Sequence, residues 1–265
     1  MSYIQHSKNA QYIGKKRYKE IIEKKILVIG AGSIGNEVIK NLILLGIKGI
    51  TIVDFDKIEE HNRNRCIFFN PGIRKGTFKT QIIKKVIGEQ AWKTKIDSLV
   101  SYAENINKKY WNSDCIFLCI DNDYSRYMIN IILLSMKSHP IIIDGAMGKN
   151  IVDIRVYKNL KNSCMSCSFT EKYKNEILAE KVKSKCNDLI KSVSPSFPII
   201  ITLNSIAASL MVTEWLNSFE ENEKRNFHLH FNLEKRLLFK TDIIKNPNCV
   251  EPFCIEDLDV KNKDH

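Results

Sequence analysis

The stretch Ile26-Leu27-Val28-Ile29-Gly30-Ala31-Gly32-Ser33-Ile34-Gly35 reads as an apolar strand, a Gly-x-Gly-x-x-Gly turn and the start of a helix. Glycine is needed where the turn is tight, where backbone must approach a phosphate, and where a helix packs closely on a sheet. The helix start then offers free N–H groups and the positive end of a dipole to an anion. Asp54 closes the next apolar run, 19 residues after Gly35, where a ribose-binding carboxylate is expected. Taken alone, this pattern would serve an NAD-dependent oxidoreductase as well as any other nucleotide-binding protein.

The following residues separate the candidates. Asp54-Phe55-Asp56 leads into Asn62-Arg63-Asn64-Arg65, then Gly76 and Lys79. A hydride-transfer enzyme has no evident use for an Asn, an Arg and a Lys gathered just after its second strand, whereas an enzyme that handles a triphosphate does. Arg65 offers a planar fork suited to phosphate oxygens, and Lys79 a compact cation. Without this spacing the same charges would read as a solvated basic loop. Farther on, Asp121-Asn122 follows another apolar run and precedes Arg126, with Asp121 available as a helix N-cap or a metal ligand. Cys164-Met165-Ser166-Cys167 pairs at long range with Cys249 and Cys254, a set that can close a tetrahedral zinc site and pin the end of the chain to its core; free thiols are the alternative. Cys66, Cys115 and Cys119 lie in or beside apolar runs and read as core residues. His228 and His230 share a face of an expected strand, but with no third ligand in view they read as structural.

These ordered motifs resemble the ThiF/MoeB-type adenylyltransferases, relatives of the ubiquitin-activating enzymes. The family's glycine loop, Asp-x-Asp, Asn-x-x-Arg and Gly-x-x-Lys stand here as Gly30/Gly32/Gly35, Asp54/Asp56, Asn62/Arg65 and Gly76/Lys79, and its Asp-Asn with a following Arg as Asp121-Asn122 and Arg126. Asn130 and Pro140 also fit, and the likeness runs from Ile26 to Cys254. The resemblance implies that Asp54 holds the ribose, that Asn62, Arg65 and Lys79 contact the ATP phosphates, and that Asp121 supports Mg²⁺ beside them. Arg65, Lys79 and Asp121 are then the catalytic set. It also implies a zinc on Cys164, Cys167, Cys249 and Cys254, although the second pair has four intervening residues where relatives usually have two. Cys186 lies near the position of a linkage-forming cysteine in many relatives, but its lysine-rich surroundings favour a passive thiol. The Arg-Tyr-x-Arg-Gln with which relatives often begin, and whose arginine reaches the neighbouring subunit's phosphates, is replaced by Ser2-Tyr3-Ile4-Gln5-His6; Lys15, Lys16 or Arg17 would have to substitute. No sulfurtransferase domain follows the matched core, so any sulfur donor is expected to be a separate protein.

Positioning those residues requires strands whose carboxyl ends meet. Ile26–Ile29, Ile50–Val53, Cys115–Ile120 and Ile141–Ile143 read as strands, and Ile34–Leu45, Thr77–Ile87 and Ser125–Met136 as helical crossovers between them. Such alternation implies a doubly wound, mostly parallel α/β sheet of the Rossmann type. Beyond it, Asn150–Tyr157 reads as a strand and Thr170–Val193 as a polar helical or mobile segment. Pro198–Leu216 reads as a buried helix, Phe227–Phe231 and Arg236–Lys240 as a closing antiparallel pair, and the tail after Asp257 as loose. One adenylation domain over 1–265 is expected, with a small zinc-bearing lobe from 160–170 and 247–256.

With Lys+Arg 41 against Asp+Glu 30, the formal charge is +11, and most of the excess is lysine that reads as solvated surface able to attract an acidic partner or a nucleotide. No basic run interleaves with aromatics, which argues against nucleic acid. Polar residues interrupt the longest apolar stretch, which argues against a membrane span. The polar N-terminus is unlike a signal peptide, so a reducing cytoplasm is expected. The resulting expectation is an ATP-dependent adenylyltransferase, acting as a homodimer with ATP, Mg²⁺ and Zn²⁺. It would activate the C-terminal carboxylate of a small ubiquitin-like sulfur-carrier protein or peptide as acyl-AMP, with release of pyrophosphate. The alternatives are NAD-dependent hydride transfer and a non-catalytic relative that binds a partner or leader peptide.

Overall fold

The computed structural model describes residues 7–69, 72–90, 93–137, 139–186, 200–219, 225–251 and 254. Two short helices, α1 (Ser7–Ile13) and α2 (Lys15–Ile22), precede β1 (Lys25–Ile29). Then follow α3 (Ser33–Leu45), β2 (Gly49–Val53), α4 (Lys79–Glu89), β3 (Lys95–Leu99), α5 (Lys108–Trp111), β4 (Cys115–Leu118), α6 (Asp123–Leu134) and β5 (Ile141–Met147). The chain continues through β6 (Ile151–Tyr157), α7 (Glu171–Cys186), α8 (Ile201–Asn217), β7 (Phe227–Asn232) and β8 (Leu237–Asp242). The strands form one sheet in the order β3-β2-β1-β4-β5-β6-β7-β8. From β3 to β5 every pairing is parallel, while β6, β7 and β8 join antiparallel.

Burial explains the sequence pattern. β4 is buried at every residue, and β1 at all but its first, because helices cover both faces of the parallel part. One apolar layer joins α3, α4 and α8 to the sheet around Ile39, Leu42, Ile83, Met211 and Trp215. The other joins α6 to the opposite face and runs into Cys164, Cys167, Cys249 and Cys254. α8 is apolar over most of its surface because α3 packs on one side of it and β5 and β6 on the other. It is the buried helix expected from Pro198–Leu216, beginning at Ile201.

The differences from expectation have local causes. β5 runs on to Met147, past Ile143, because antiparallel β6 pairs with its carboxyl half. β3 was not anticipated; Lys95–Leu99 is a short edge strand with exposed Lys95 and Asp97 and gives little apolar signal. α1 and α2 also escaped, being polar apart from a few contacts such as buried Tyr18 and Ile21. The polar segment after Thr170 is helical as far as Cys186. The Ser2–His6 motif, the part of Thr170–Val193 beyond Cys186, the start of the Pro198–Leu216 stretch and the tail after Asp257 lie outside the described residues.

Candidate nucleotide site and cysteine cluster

The strand order reverses at β1, whose neighbours are β2 and β4, and ligands bind at such switch points beyond the carboxyl ends of the strands. Backbone bonds bring those ends level: Gly30 N–H donates to Val53 at 2.8 Å, Cys119 N–H to Ile29 at 2.7 Å, and Asp54 N–H to Leu99 at 3.2 Å. The glycine loop lies where β1 leaves this edge. Gly30 has φ +95°, and a Cβ there would fall 2.4 Å from the Cys119 carbonyl oxygen. A Cβ on Gly35 would fall 2.0 Å from the Gly30 oxygen, so the first turn of α3 rests on the loop itself. A Cβ on Gly32 would meet nothing within 4 Å, which leaves open space over the N-terminus of α3, and no side chain caps that terminus. Uncapped N–H groups beside open space fit a phosphate. Gly30→Ala should therefore abolish measurable ATP binding and lower stability by about 1–3 kcal/mol; isothermal titration and thermal melting read the two effects, and unchanged binding would contradict the loop's role.

Asp54 is built into this loop. Its Oδ2 accepts from Ala31 N–H at 2.6 Å and its Oδ1 from Asp56 N–H at 2.7 Å. Burial pushes the Asp54 carboxyl up from its ordinary value, opposed by Lys79 and by these two N–H donors. A carboxylate has about four lone-pair sites, so room remains for ribose hydroxyls. Lys79 opens α4; its ammonium pairs with Asp56 at 2.7 Å and its side chain is only 10% exposed. Burial alone would lower the lysine, but Asp54 and Asp56 outweigh it and hold its pKa above the ordinary value. The buried Cys66 thiol is pushed up to about 12 by burial, opposed by the charges of Lys79 and Arg65.

Of the two arginines in the basic loop, Arg63 is committed to the fold: it pairs with Glu60 at 3.1 Å and donates to the Ile73 carbonyl at 3.0 Å. Arg65 is half-buried and makes no ion pair with a described residue. Asn62 closes a capping box, its Oδ1 accepting from Glu59 N–H at 2.9 Å, which leaves its amide N–H groups as the atoms able to meet an anion. Gly76, with φ +86°, turns the chain back toward Ile58, and Lys79 starts the next helix. At the end of β4, Asn122 rather than Asp121 caps α6, accepting from Ser125 N–H at 2.7 Å. Asp121 is exposed and has no capping duty. Arg17, a candidate substitute for the missing N-terminal arginines, instead donates to the Leu216 carbonyl at 2.6 Å; Lys15 and Lys16 are exposed.

Several residues have positioning roles that the sequence did not specify. Asn36 donates to the Ala31 and Gly32 carbonyls and accepts from Phe68 N–H at 3.2 Å, tying the glycine loop to the segment after Arg65. Arg126 is buried against Asp144 at 2.9 Å, with Arg155 on the other carboxylate oxygen at 3.0 Å, so the β4–α6 turn is clamped to β5 and β6. Asp153 of β6 meets both His228 and His230, supplying the third group that sequence reading did not find.

The four cysteines also converge. All are buried, and their sulfurs lie 3.5 Å (Cys164–Cys249), 3.8 Å (Cys164–Cys167) and 3.7 Å (Cys167–Cys254) apart. Zinc–sulfur bonds of about 2.3 Å in a tetrahedron place sulfurs about 3.8 Å apart, so the set fits zinc. Asn130 of α6 fixes the first pair, accepting from Met165 N–H at 3.0 Å and donating to the Ser166 hydroxyl at 2.9 Å. Among the described residues no helix is long and apolar enough to cross a membrane.

A glycine loop and a half-buried carboxylate at the switch point of such a sheet define a doubly wound α/β protein with a candidate nucleotide site. The chain belongs to the ThiF family, whose model matches residues 6–251. It is 32% identical over 160 residues to SUMO-activating enzyme subunit 2 of Dictyostelium discoideum, covering 59% of this chain and 24% of that protein. It is 22% identical over 252 residues to ubiquitin-like modifier-activating enzyme 5 of Branchiostoma floridae, covering 89% of this chain and 60% of that one. The chain thus spans only part of these relatives. Its fold matches E. coli MccB solved with ATP, with a TM-score of 0.71 and 19% identity over 94% of this chain and 73% of MccB. MccB with succinimide aligns at a TM-score of 0.73 and 17% identity, over 96% of this chain and 74% of that one.

Proposed function

We propose that the protein is an ATP-dependent adenylyltransferase that activates the C-terminal carboxylate of a small ubiquitin-like sulfur-carrier protein or a peptide. The observation that carries this reading is the gathering of the glycine loop, Asp54, Arg65 and Lys79 at one switch point, with Asp121 at the end of the adjoining strand. Membership of the ThiF family supports adenylation over nicotinamide chemistry. A carboxylate oxygen of the partner attacks the α-phosphorus, the bond to the β-phosphate oxygen breaks, and acyl-AMP and pyrophosphate result. The α3 N-terminus and the Asn62 amide orient the phosphates, Arg65 and Lys79 offset charge that builds as pyrophosphate leaves, and Asp54 fixes the ribose. Rate enhancement comes from positioning and charge stabilisation rather than from a covalent enzyme group. Asp121 would hold Mg²⁺, which would supply further neutralisation of the phosphates. Zinc on the cysteine cluster is structural: it joins the 164–167 turn to the chain around 249–254, and it has no part in the reaction. A homodimer in the cytoplasm, organised as one adenylation domain over 1–265 with this cysteine lobe, completes the proposal. Partner-dependent ATP–pyrophosphate exchange tests the reading; nicotinamide turnover without exchange, or failure to bind ATP, would overturn it.

A carboxylate is already a competent nucleophile toward activated phosphorus, so no thiol is required before a later transfer. Cys186→Ala should make acyl-AMP from the same partner at the wild-type rate, measured by mass spectrometry. A variant that folds and binds ATP but forms no acyl-AMP would put Cys186 in the first step.

A further inference from the structure

Asp153 on β6 stands directly across from His230 on β7, and His228 is two residues along the same strand, so all three side chains leave one face of the sheet. Asp153 Oδ1 lies 2.9 Å from His228 Nε2 and 2.5 Å from His230 Nδ1. The three candidate ligand atoms all lie within 4.8 Å of one another. Each side chain is roughly three-quarters buried, between 23% and 28% exposed, which leaves one side open to solvent. The Phe239 ring of β8, 4.8 Å from the His230 ring, covers another side.

We propose that Asp153, His228 and His230 form a metal site separate from the cysteine cluster, selective for a borderline divalent transition ion, zinc first. The donor set carries the choice. Two imidazole nitrogens with one carboxylate oxygen suit zinc and its first-row neighbours, whereas calcium and magnesium take oxygen ligands. Three protein ligands also leave a coordination position for water or for a group on a partner. The backbone supplies rigidity, because the ligands sit on hydrogen-bonded strands rather than on a loop. Metal–ligand bonds of about 2.0–2.2 Å set donors roughly 3.3–3.5 Å apart, so an ion enters with side-chain rotations of about an ångström. In the metal-free form each imidazole donates a ring N–H to the shared carboxylate oxygen. On metal binding that nitrogen gives up its proton, the ring's other nitrogen carries one, and the freed lone pair bonds the ion; no oxidation state changes.

The neighbouring charges permit this. Arg155, opposite His228 in register, is the nearest cation on this face, and Asp144 engages its guanidinium at 3.0 Å. Thr241, the other neighbour of His228, adds no charge.

The test uses the untagged full chain, equilibrated with zinc, passed through a desalting column, and assayed for bound metal. Asp153→Asn and His228→Gln should each carry one equivalent less than wild type, or bind it at least about 10–100-fold more weakly, the loss typical of even an outer-shell partner. The reading is a difference between variants, so it does not depend on how fully the cysteine cluster is loaded. Cobalt provides an independent signature: Asp153→Asn should lose the ligand-field absorption contributed by the second cobalt, while the thiolate-to-cobalt charge-transfer band and the ligand-field bands of the cysteine site are kept. If His228→Gln fails to fold, Asp153→Asn, which preserves shape and a hydrogen-bonding oxygen, decides alone. Equal metal content and equal cobalt spectra in wild type and a folded Asp153→Asn variant would overturn the proposal and leave the trio as a cross-strand hydrogen-bonded pin.

Discussion

Lys79→Ala is expected to lower partner-dependent ATP–pyrophosphate exchange by on the order of 10²-fold or more, the usual cost of removing one contact to charge developing in a transition state. Arg65→Ala and Asp121→Ala should fall in the same range, for different reasons. Lys79 is a fixed, mostly buried cation held by Asp56, so its loss also leaves the Asp54 and Asp56 carboxylates less compensated. Thermal melting must therefore accompany its kinetics, with a modest fall in melting temperature expected beside the large fall in rate. Arg65 makes no ion pair with a described residue and Asp121 is exposed. Their removal should leave melting nearly unchanged, which makes them the cleaner probes. Near-wild-type exchange in all three variants would contradict the site assignment.

The second large effect concerns the cysteines. Cys164→Ser combined with Cys249→Ser should remove one zinc per chain and destabilise the lobe it closes. Apparent binding energies of structural zinc in small peptides reach about 10–16 kcal/mol, so even a fraction of that exceeds what the local hydrogen bonds supply. Those bonds are individually modest: Asn246 donates to the Cys167 carbonyl at 3.1 Å, the Ser163 hydroxyl to Ile243 at 2.9 Å, and the Lys174 ammonium to the Val250 carbonyl at 2.9 Å. Limited proteolysis should then cut near residues 243–251 in the variant and not in wild type. Unchanged zinc content, or unchanged protease resistance, would sink the structural role.

What could be read from sequence was what the backbone demands locally. Gly30 and Gly35 are dictated by a positive φ and by a helix resting on its own loop, and both demands leave glycine at fixed spacing. Buried strands such as β4 announce themselves as apolar runs. Residue roles that depend on distant partners were not legible. The motif marks Arg126 but not its job, which appears only when Asp144 arrives from β5, and His228 and His230 look like an unsupported pair until β6 supplies Asp153. Residue type alone does not separate Arg63 from Arg65; only the motif's spacing does, and the structure shows why, since Arg63 is tied into the loop's own structure and Arg65 makes no ion pair with a described residue. The cap of α6 fell to Asn122 rather than its neighbour because a one-residue shift in where a helix begins decides which side chain meets the free N–H groups.

The Lys79–Asp56 pair means that the site idles with its cation already occupied. On the proposed function, a triphosphate arriving at Lys79 displaces one oxyanion with another, and the carboxylate it displaces is 49% exposed and close to water. Exchange of this kind is gentle in net electrostatics, so the nucleotide's grip depends on several simultaneous contacts rather than on one strong attraction. Stray single phosphates and carboxylates, which can compete for Lys79 but cannot reach the glycine loop at the same time, are thereby held at a disadvantage.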